Sequence, residues 1–221
     1  MDLIEKIKSI EKYVCEYFED LGMDDPVEEG CFAEYEEVRG ATDKEIHDFE
    51  NHFNIVLPKD LKEIYTYKNG SRFFPFLPAF IDNRDYSFTL LSLEEIKHLK
   101  EYFQNKNALF TDFPDYFSKE EIKRQADPRL QPYLFHKKRI PFAQYCDSCY
   151  LMLDLYPGTW DRRDRFFVMF TIRMRFFMYV RILPPLSMIF GKTLLQLLNK
   201  NELYGKTTRT FIHFFEKSYV L

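Results

Sequence analysis

A chain of 221 residues with 46% hydrophobic content is long enough to bury a proper core in one large domain, and this composition excludes disorder as the default state. Phe and Tyr number 24 and 15 against 7 Gly, which favours aromatic-rich packed layers and disfavours the glycine-rich loops that cradle phosphates. The formal net charge of −4 conceals a polarity along the chain: residues 1–50 hold 17 Asp/Glu and 5 Lys/Arg, whereas residues 160–221 hold 4 and 11.

The opening Met-Asp-Leu-Ile-Glu-Lys lacks the basic-then-apolar organisation of a signal peptide, so a cytoplasmic location is expected. Leu3, Ile7, Ile10, Val14, Tyr17, Phe18 and Leu21 recur at helical spacing over 2–21, with Asp2 placed to cap and Gly22 to stop. From Glu16 to Val38 there are ten acidic residues and no Lys or Arg, interrupted by Pro26 and Gly30, and this reads as an acidic, loop-rich surface. Two meanings stay open. Folding that brings the two ends together would cancel the charge, or the acidic surface meets a basic partner.

Thr42 and Glu45 have capping-box spacing, and Ile46, Phe49 and Phe53 follow on one helical face. Pro58 then starts a second helix with Leu61, Ile64 and Tyr65 inward and Asn69-Gly70 as its stop. Residues 73–91 read as a loop followed by a strand, "YSFTLLS". Ser92 and Glu95 repeat the capping pattern and start a helix to about Gln104, and Ser118 starts a shorter one ending before Pro128. "RIPFA" and "YLMLDLY" are strand-like. Residues 166–182 alternate too long for one strand, so a bend or hairpin is expected there, ended by Pro184-Pro185. "KTLLQLLNKNEL" and "TRTFIHFFEKS" are helical patterns.

The most enzyme-like feature is Cys146-x-x-Cys149. A zinc site needs two further ligands, but Cys15 and Cys31 lie over a hundred residues upstream without matching spacing. A redox dithiol belongs at a helix N-terminus, and this pair precedes a strand. Small side chains in a turn between two strands are the expected reading. His47 and His52 are five apart, which separates them by about 140° on a helix and does not chelate. Nucleophile-elbow, dinucleotide and Walker motifs do not occur. No catalytic residue, metal or cofactor is therefore expected, and the chain is read as a non-enzyme. Arg173, Arg175, Phe177, Tyr179 and Arg181 form an alternating basic and aromatic face of the kind that stacks single-stranded nucleic acid. The acidic whole chain disfavours that use against a face covered by a helix or by the acidic N-terminal region. The same arginines disfavour a membrane span over 166–183, at roughly 2.5–3.5 kcal/mol each for a central position.

Ala41-Thr42-x-x-Glu45-Ile46-x-x-Phe49-Glu50, Ile55 to Pro58, Leu61 to Tyr65 and Asn69-Gly70 together resemble the opening of the SUKH superfamily. That group takes in fungal cell-wall-synthesis regulators of the Smi/Knr type and many bacterial immunity proteins. Ile140-Pro141-Phe142-Ala143, then Tyr150 to Leu155 and Pro157-Gly158, resemble its second signature, and Thr210-Phe211-x-x-Phe214-Phe215-Glu216 its closing helix. The resemblance implies an α+β fold, an antiparallel-dominated sheet with helices packed on it. It divides the chain into an N-terminal helix and acidic loop over 1–40 and a SUKH-like domain over 41–221 with an enlarged 160–206 region. It implies no catalytic residues and a protein partner. The leading expectation is an immunity protein that binds a nuclease-type toxin domain through Glu28, Glu29, Glu34, Glu36 and Glu37, and the alternative is a scaffold in cell-wall synthesis. Nothing in the sequence sets an oligomeric state.

Overall fold

The computed structural model describes residues 2–81, 84–104, 107–115, 118–125, 131–146, 149–156, 165–170, 181–183, and Phe190, Thr193 and Leu195. Helix α1 (Leu3–Glu16) begins at a capping box: the Asp2 carboxylate accepts from the Glu5 amide at 2.8 Å, and Glu5 accepts from the Asp2 amide at 3.2 Å. The apolar spacing predicted a helix running on to Leu21. The α-helix ends sooner, and a 3₁₀ turn, Phe18–Leu21, carries the pattern to Gly22, whose φ of 64° makes the left-handed exit. The following acidic stretch is more regular than expected, since it contains a short helix, α2 (Cys31–Glu36).

Helices α3 (Asp43–Phe53) and α4 (Lys59–Tyr67) start where their cap and proline signals put them, with the Thr42–Glu45 box formed in both directions. Asn69, expected only to stop α4, also serves the next helix: its side-chain oxygen accepts from the Leu93 amide at 2.9 Å. That helix, α5 (Leu93–Gln104), has its own Ser92–Glu95 box. Helix α6 (Lys119–Gln125) follows Ser118.

Residues 73–91 hold two strands, β1 (Leu77–Ile81) and β2 (Arg84–Leu90), paired antiparallel. Only the second was legible, because Pro78 argues against a strand. It is tolerated because β1 is the first strand in the sheet order and has β2 as its neighbour. The remaining strands are β3 (Ala108–Leu109) and β4 (Tyr133–Phe135), which pair with each other, then β5 (Arg139–Tyr145), β6 (Cys149–Asp154), β7 (Arg165–Phe170) and β8 (Arg181–Leu183). The main sheet runs β1-β2-β5-β6-β7-β8, every described pairing antiparallel, so the α+β expectation holds. Pro141 sits inside β5 where the register with β6 slips between Pro141 and Ala143, a bulge that accommodates the missing amide. Phe166 pairs with Leu183 and Val168 with Arg181, so the expected hairpin within 166–182 is present. Residues 171–180, with Arg173, Arg175, Phe177 and Tyr179, lie outside the described residues, as do both closing helical patterns apart from Thr193 and Leu195.

A single hydrophobic cluster joins these parts. Leu3, Ile7, Ile10 and Val14 of α1 and Tyr35 of α2 are buried with Phe49, Leu61, Ile64 and Tyr65 of α3 and α4, and with Phe88, Ile96, Ile140, Leu151 and Leu153 of the sheet and α5. Tyr65 is buried completely, and its hydroxyl donates to the Leu91 carbonyl at 2.9 Å, fixing α4 to the end of β2.

Candidate protein-binding surface

The acidic stretch between α1 and α3 is held in a defined shape by its own turns. The Asp25 carboxylate accepts from the amides of Val27 at 2.8 Å and Glu28 at 3.3 Å, and the Phe32 amide donates to the Pro26 carbonyl at 2.8 Å. Gly30, at φ 77°, turns the chain into α2.

Helix α2 is then anchored from beneath by Tyr35. Its ring stacks on Phe74 with centroids 4.6 Å apart, and Phe74 also meets Phe32 at 5.4 Å. The Tyr35 hydroxyl donates to the buried Glu11 carboxylate, which accepts a second hydrogen bond from Tyr67 at 3.0 Å. Burial raises the Glu11 carboxyl above its ordinary 4.5, against the two tyrosine hydrogen bonds, which favour the charged form. The same burial, together with the Glu11 charge, pushes both tyrosine hydroxyls up, so they remain donors.

Lys68 closes the other end. Its ammonium donates to the carbonyls of Tyr35, Glu36 and Val38 at 3.0, 3.0 and 2.8 Å and lies 4.7 Å from the centre of the Tyr35 ring. These carbonyls lie in the last turn of α2 and just after it, where a cation is favourable at the negative end of the helix, and the Tyr35 carbonyl accepts from the Val38 amide as well, at 3.0 Å. The hydrogen bonds of this lysine thus go to backbone oxygens, while the side chain of Glu36 acts on it only through its charge.

Glu28, Glu29, Glu34, Glu36 and Glu37 are all exposed in this arrangement. The first two follow the Asp25 turn, and the other three lie on or directly after α2. Glu34 has a neighbour of opposite charge, the Arg72 guanidinium at 3.7 Å. The sequence marked these glutamates by charge alone. It did not mark Glu11, Tyr35 or Lys68, which hold them in place, because those contacts join residues 24 to 56 positions apart.

Chemistry of the enzyme-like motif is different from what its spacing suggests. Cys146 directly follows β5 at φ 49° and is exposed, whereas Cys149 begins β6 and is buried, so the pair lies at a strand-to-strand connection as expected. Burial drives the Cys149 thiol up, away from the thiolate that redox and metal chemistry require. All four cysteines are free. Across the same hairpin, Arg139 faces Asp154, Nε to Oδ2 at 3.4 Å, with both side chains almost fully buried. Arg139 also donates to the Gln131 carbonyl at 2.8 Å and to that of Tyr133, and Asp154 accepts from the Tyr156 amide at 2.9 Å. This pair fastens the segment before β5 to the hairpin. Among the described residues no group of three or more His, Cys, Asp or Glu is arranged to hold a metal ion, and no helix is long and apolar enough to cross a membrane.

Residues 40–183 match the SMI1 / KNR4 family (SUKH-1), well over half of the chain. This protein belongs to that family. The match begins at Gly40, immediately before the Thr42–Glu45 cap, and ends at the last residue of β8, so it takes in α3 to α6 and the whole sheet. The acidic turn and α2 precede it. No curated protein matches the chain.

Proposed function

We propose that this SUKH-1 chain is a non-enzymatic binding protein of the cytoplasm, an immunity protein that neutralises a nuclease-type toxin domain by direct contact. The observation that carries this reading is the ordered acidic face: five exposed glutamates on a turn and helix whose backbone is fixed by Asp25, Tyr35 and Lys68. Nuclease clefts are cationic because they bind phosphate. A carboxylate-rich surface of fixed shape steers association with such a cleft and competes for the same positive groups.

The test is replacement of Glu28, Glu29, Glu34, Glu36 and Glu37 by Gln, with binding to the product of any toxin gene found beside this one followed over a range of salt. The association rate should fall by at least about tenfold at low salt and lose most of its salt dependence. Unchanged rates at every salt concentration would rule the acidic face out. Family membership supports a second reading, a regulatory scaffold in cell-wall synthesis as in the Smi/Knr type. A toxin gene adjacent to this one favours immunity, and a gene standing among wall enzymes favours the scaffold.

A further inference from the structure

Between α4 and β1 the chain makes a turn, residues 70–74, that abuts α2. Ser71 at its base is fully buried and bonded in every direction: its amide donates to the Leu90 carbonyl at 2.9 Å, its hydroxyl donates to the Phe74 carbonyl at 2.8 Å, and that hydroxyl accepts from the Leu90 amide at 2.8 Å. The Phe74 amide closes the turn onto the Ser71 carbonyl at 2.9 Å. Gly70, at φ 103°, approaches Ser92 so closely that a Cβ would lie 3.1 Å from its side chain and backbone. A turn pinned this way has little freedom.

What it displays is unusual. Arg72 occupies the left-handed region at φ 50°, unfavourable for a side chain of its kind, and reaches Glu34 of α2. Phe73 is 78% exposed, while the next residue, Phe74, is fully buried against Phe32 and Tyr35. A single exposed apolar residue is ordinary on a protein surface, and Val56, 74% exposed on the elbow between α3 and α4, is such a case. Phe73 differs from Val56 in being aromatic, rigidly mounted and set beside a charged surface.

We propose that Phe73 is an anchor residue: it enters an apolar pocket on a protein partner whose pocket rim is basic and faces the glutamates of α2. This rests on the reading of the acidic face as partner-binding and adds an aromatic centre to a face whose own exposed apolar side chain is the smaller Val27. Aromatic anchors inside a polar rim carry a large share of interface energy, and a side chain mounted on a backbone that is already fixed leaves only its own rotamer freedom to lose on docking. Electrostatic attraction to the glutamates sets the encounter rate, and insertion of the ring sets the residence time.

The experiment places the photoreactive residue p-benzoylphenylalanine at position 73, and separately at 56, in the full chain inside its native cells. A discrete adduct from position 73 and not from 56 is expected, its partner carrying Lys and Arg around the cross-linked site. With that partner purified, Phe73→Ala should weaken binding at least about tenfold at low and high salt alike, through faster dissociation. No adduct at 73 beyond that at 56, an acidic rim on the cross-linked partner, or undiminished binding by the Phe73→Ala chain overturns the proposal. The two readings separate cleanly. Loss with the five-Gln chain alone removes the anchor and keeps the acidic face, and loss with Phe73→Ala alone removes the acidic-face reading and with it the basic rim of the proposal.

Discussion

Glu11 shows how one buried residue sets the shape of a surface it never reaches. Its carboxylate accepts hydroxyl hydrogen bonds from Tyr35 and Tyr67, one from α2 and one from α4. Replacing it by Leu keeps the volume and removes both acceptors, and an unpaired buried hydroxyl costs about 1–3 kcal/mol. Glu11→Leu should therefore lower unfolding stability by about 2–4 kcal/mol in urea titrations, with Glu11→Gln less costly because its amide oxygen still accepts. Since burial raises the folded-state value above 4.5, the folded protein holds this proton more tightly than the unfolded chain. The Glu11 contribution is thus fully present below pH 4.5 and is lost as pH rises through the folded value, and the Gln variant should lack that decline. Lys100 has the opposite sense. Burial pushes its ammonium down from 10.5 to about 7, although it donates to the carbonyls of Lys137 and Arg139 at 2.5 and 3.1 Å and lies 4.8 Å from the centre of the Phe53 ring. Between those two pH values the unfolded chain binds more protons, so stability rises with pH across the window. Lys100→Met should flatten that rise relative to the unsubstituted protein, and an identical slope in both would show that Lys100 stays charged when buried.

At the level of elements, the approach of Gly40 to α4 is the closest among the described glycines. A Cβ there would lie 1.8 Å from the Thr66 carbonyl oxygen and 2.7 Å from its carbon, with flanking bonds from Ala41 to Tyr65 and from Asn69 to Arg39 holding both backbones in place. The obstacle is backbone, so it cannot rotate away. Gly40→Ala should cost at least about 3 kcal/mol, beyond ordinary overpacking, read as a large fall in the denaturation midpoint. Helices were legible wherever a polar cap met apolar spacing: Asp2, Thr42, Ser92 and Ser118 each preceded a helix that forms. Strand β1 was hidden by Pro78, whose edge position is a fact of topology and not of local sequence. Helix α2 was hidden because the six residues from Cys31 make too short a pattern, and its support comes from contacts of Tyr35 with Phe74 and of Lys68 with its last carbonyls, far along the chain. The charge of the candidate surface was visible for the same reason that its support was not. Charge is a property of composition, whereas support depends on contacts across the fold.

For the molecule as a whole, the question is whether the family domain stands without the segment before it. The family match begins at Gly40, yet Leu3, Ile7, Ile10, Tyr13, Val14, Leu21 and Tyr35 lie in the same buried cluster as Phe49, Tyr65 and Phe88. Each large apolar side chain buried contributes about 1.5–3 kcal/mol, so the seven together rival the 5–15 kcal/mol that holds a typical domain folded. Removing residues 1–39 would also leave Lys68 without its three carbonyl partners and Tyr67 without its acceptor. A chain beginning at Gly40 should therefore show no cooperative thermal transition by circular dichroism and should bind hydrophobic dyes at room temperature. Adding residues 1–39 back as a separate peptide should restore part of the transition, because α1 carries its own cap and a continuous apolar face. A truncated chain that melts cooperatively within a few degrees of the full protein would instead make α1 and the acidic helix an appendage, and the acidic face could then be transferred to another member of the family without its core.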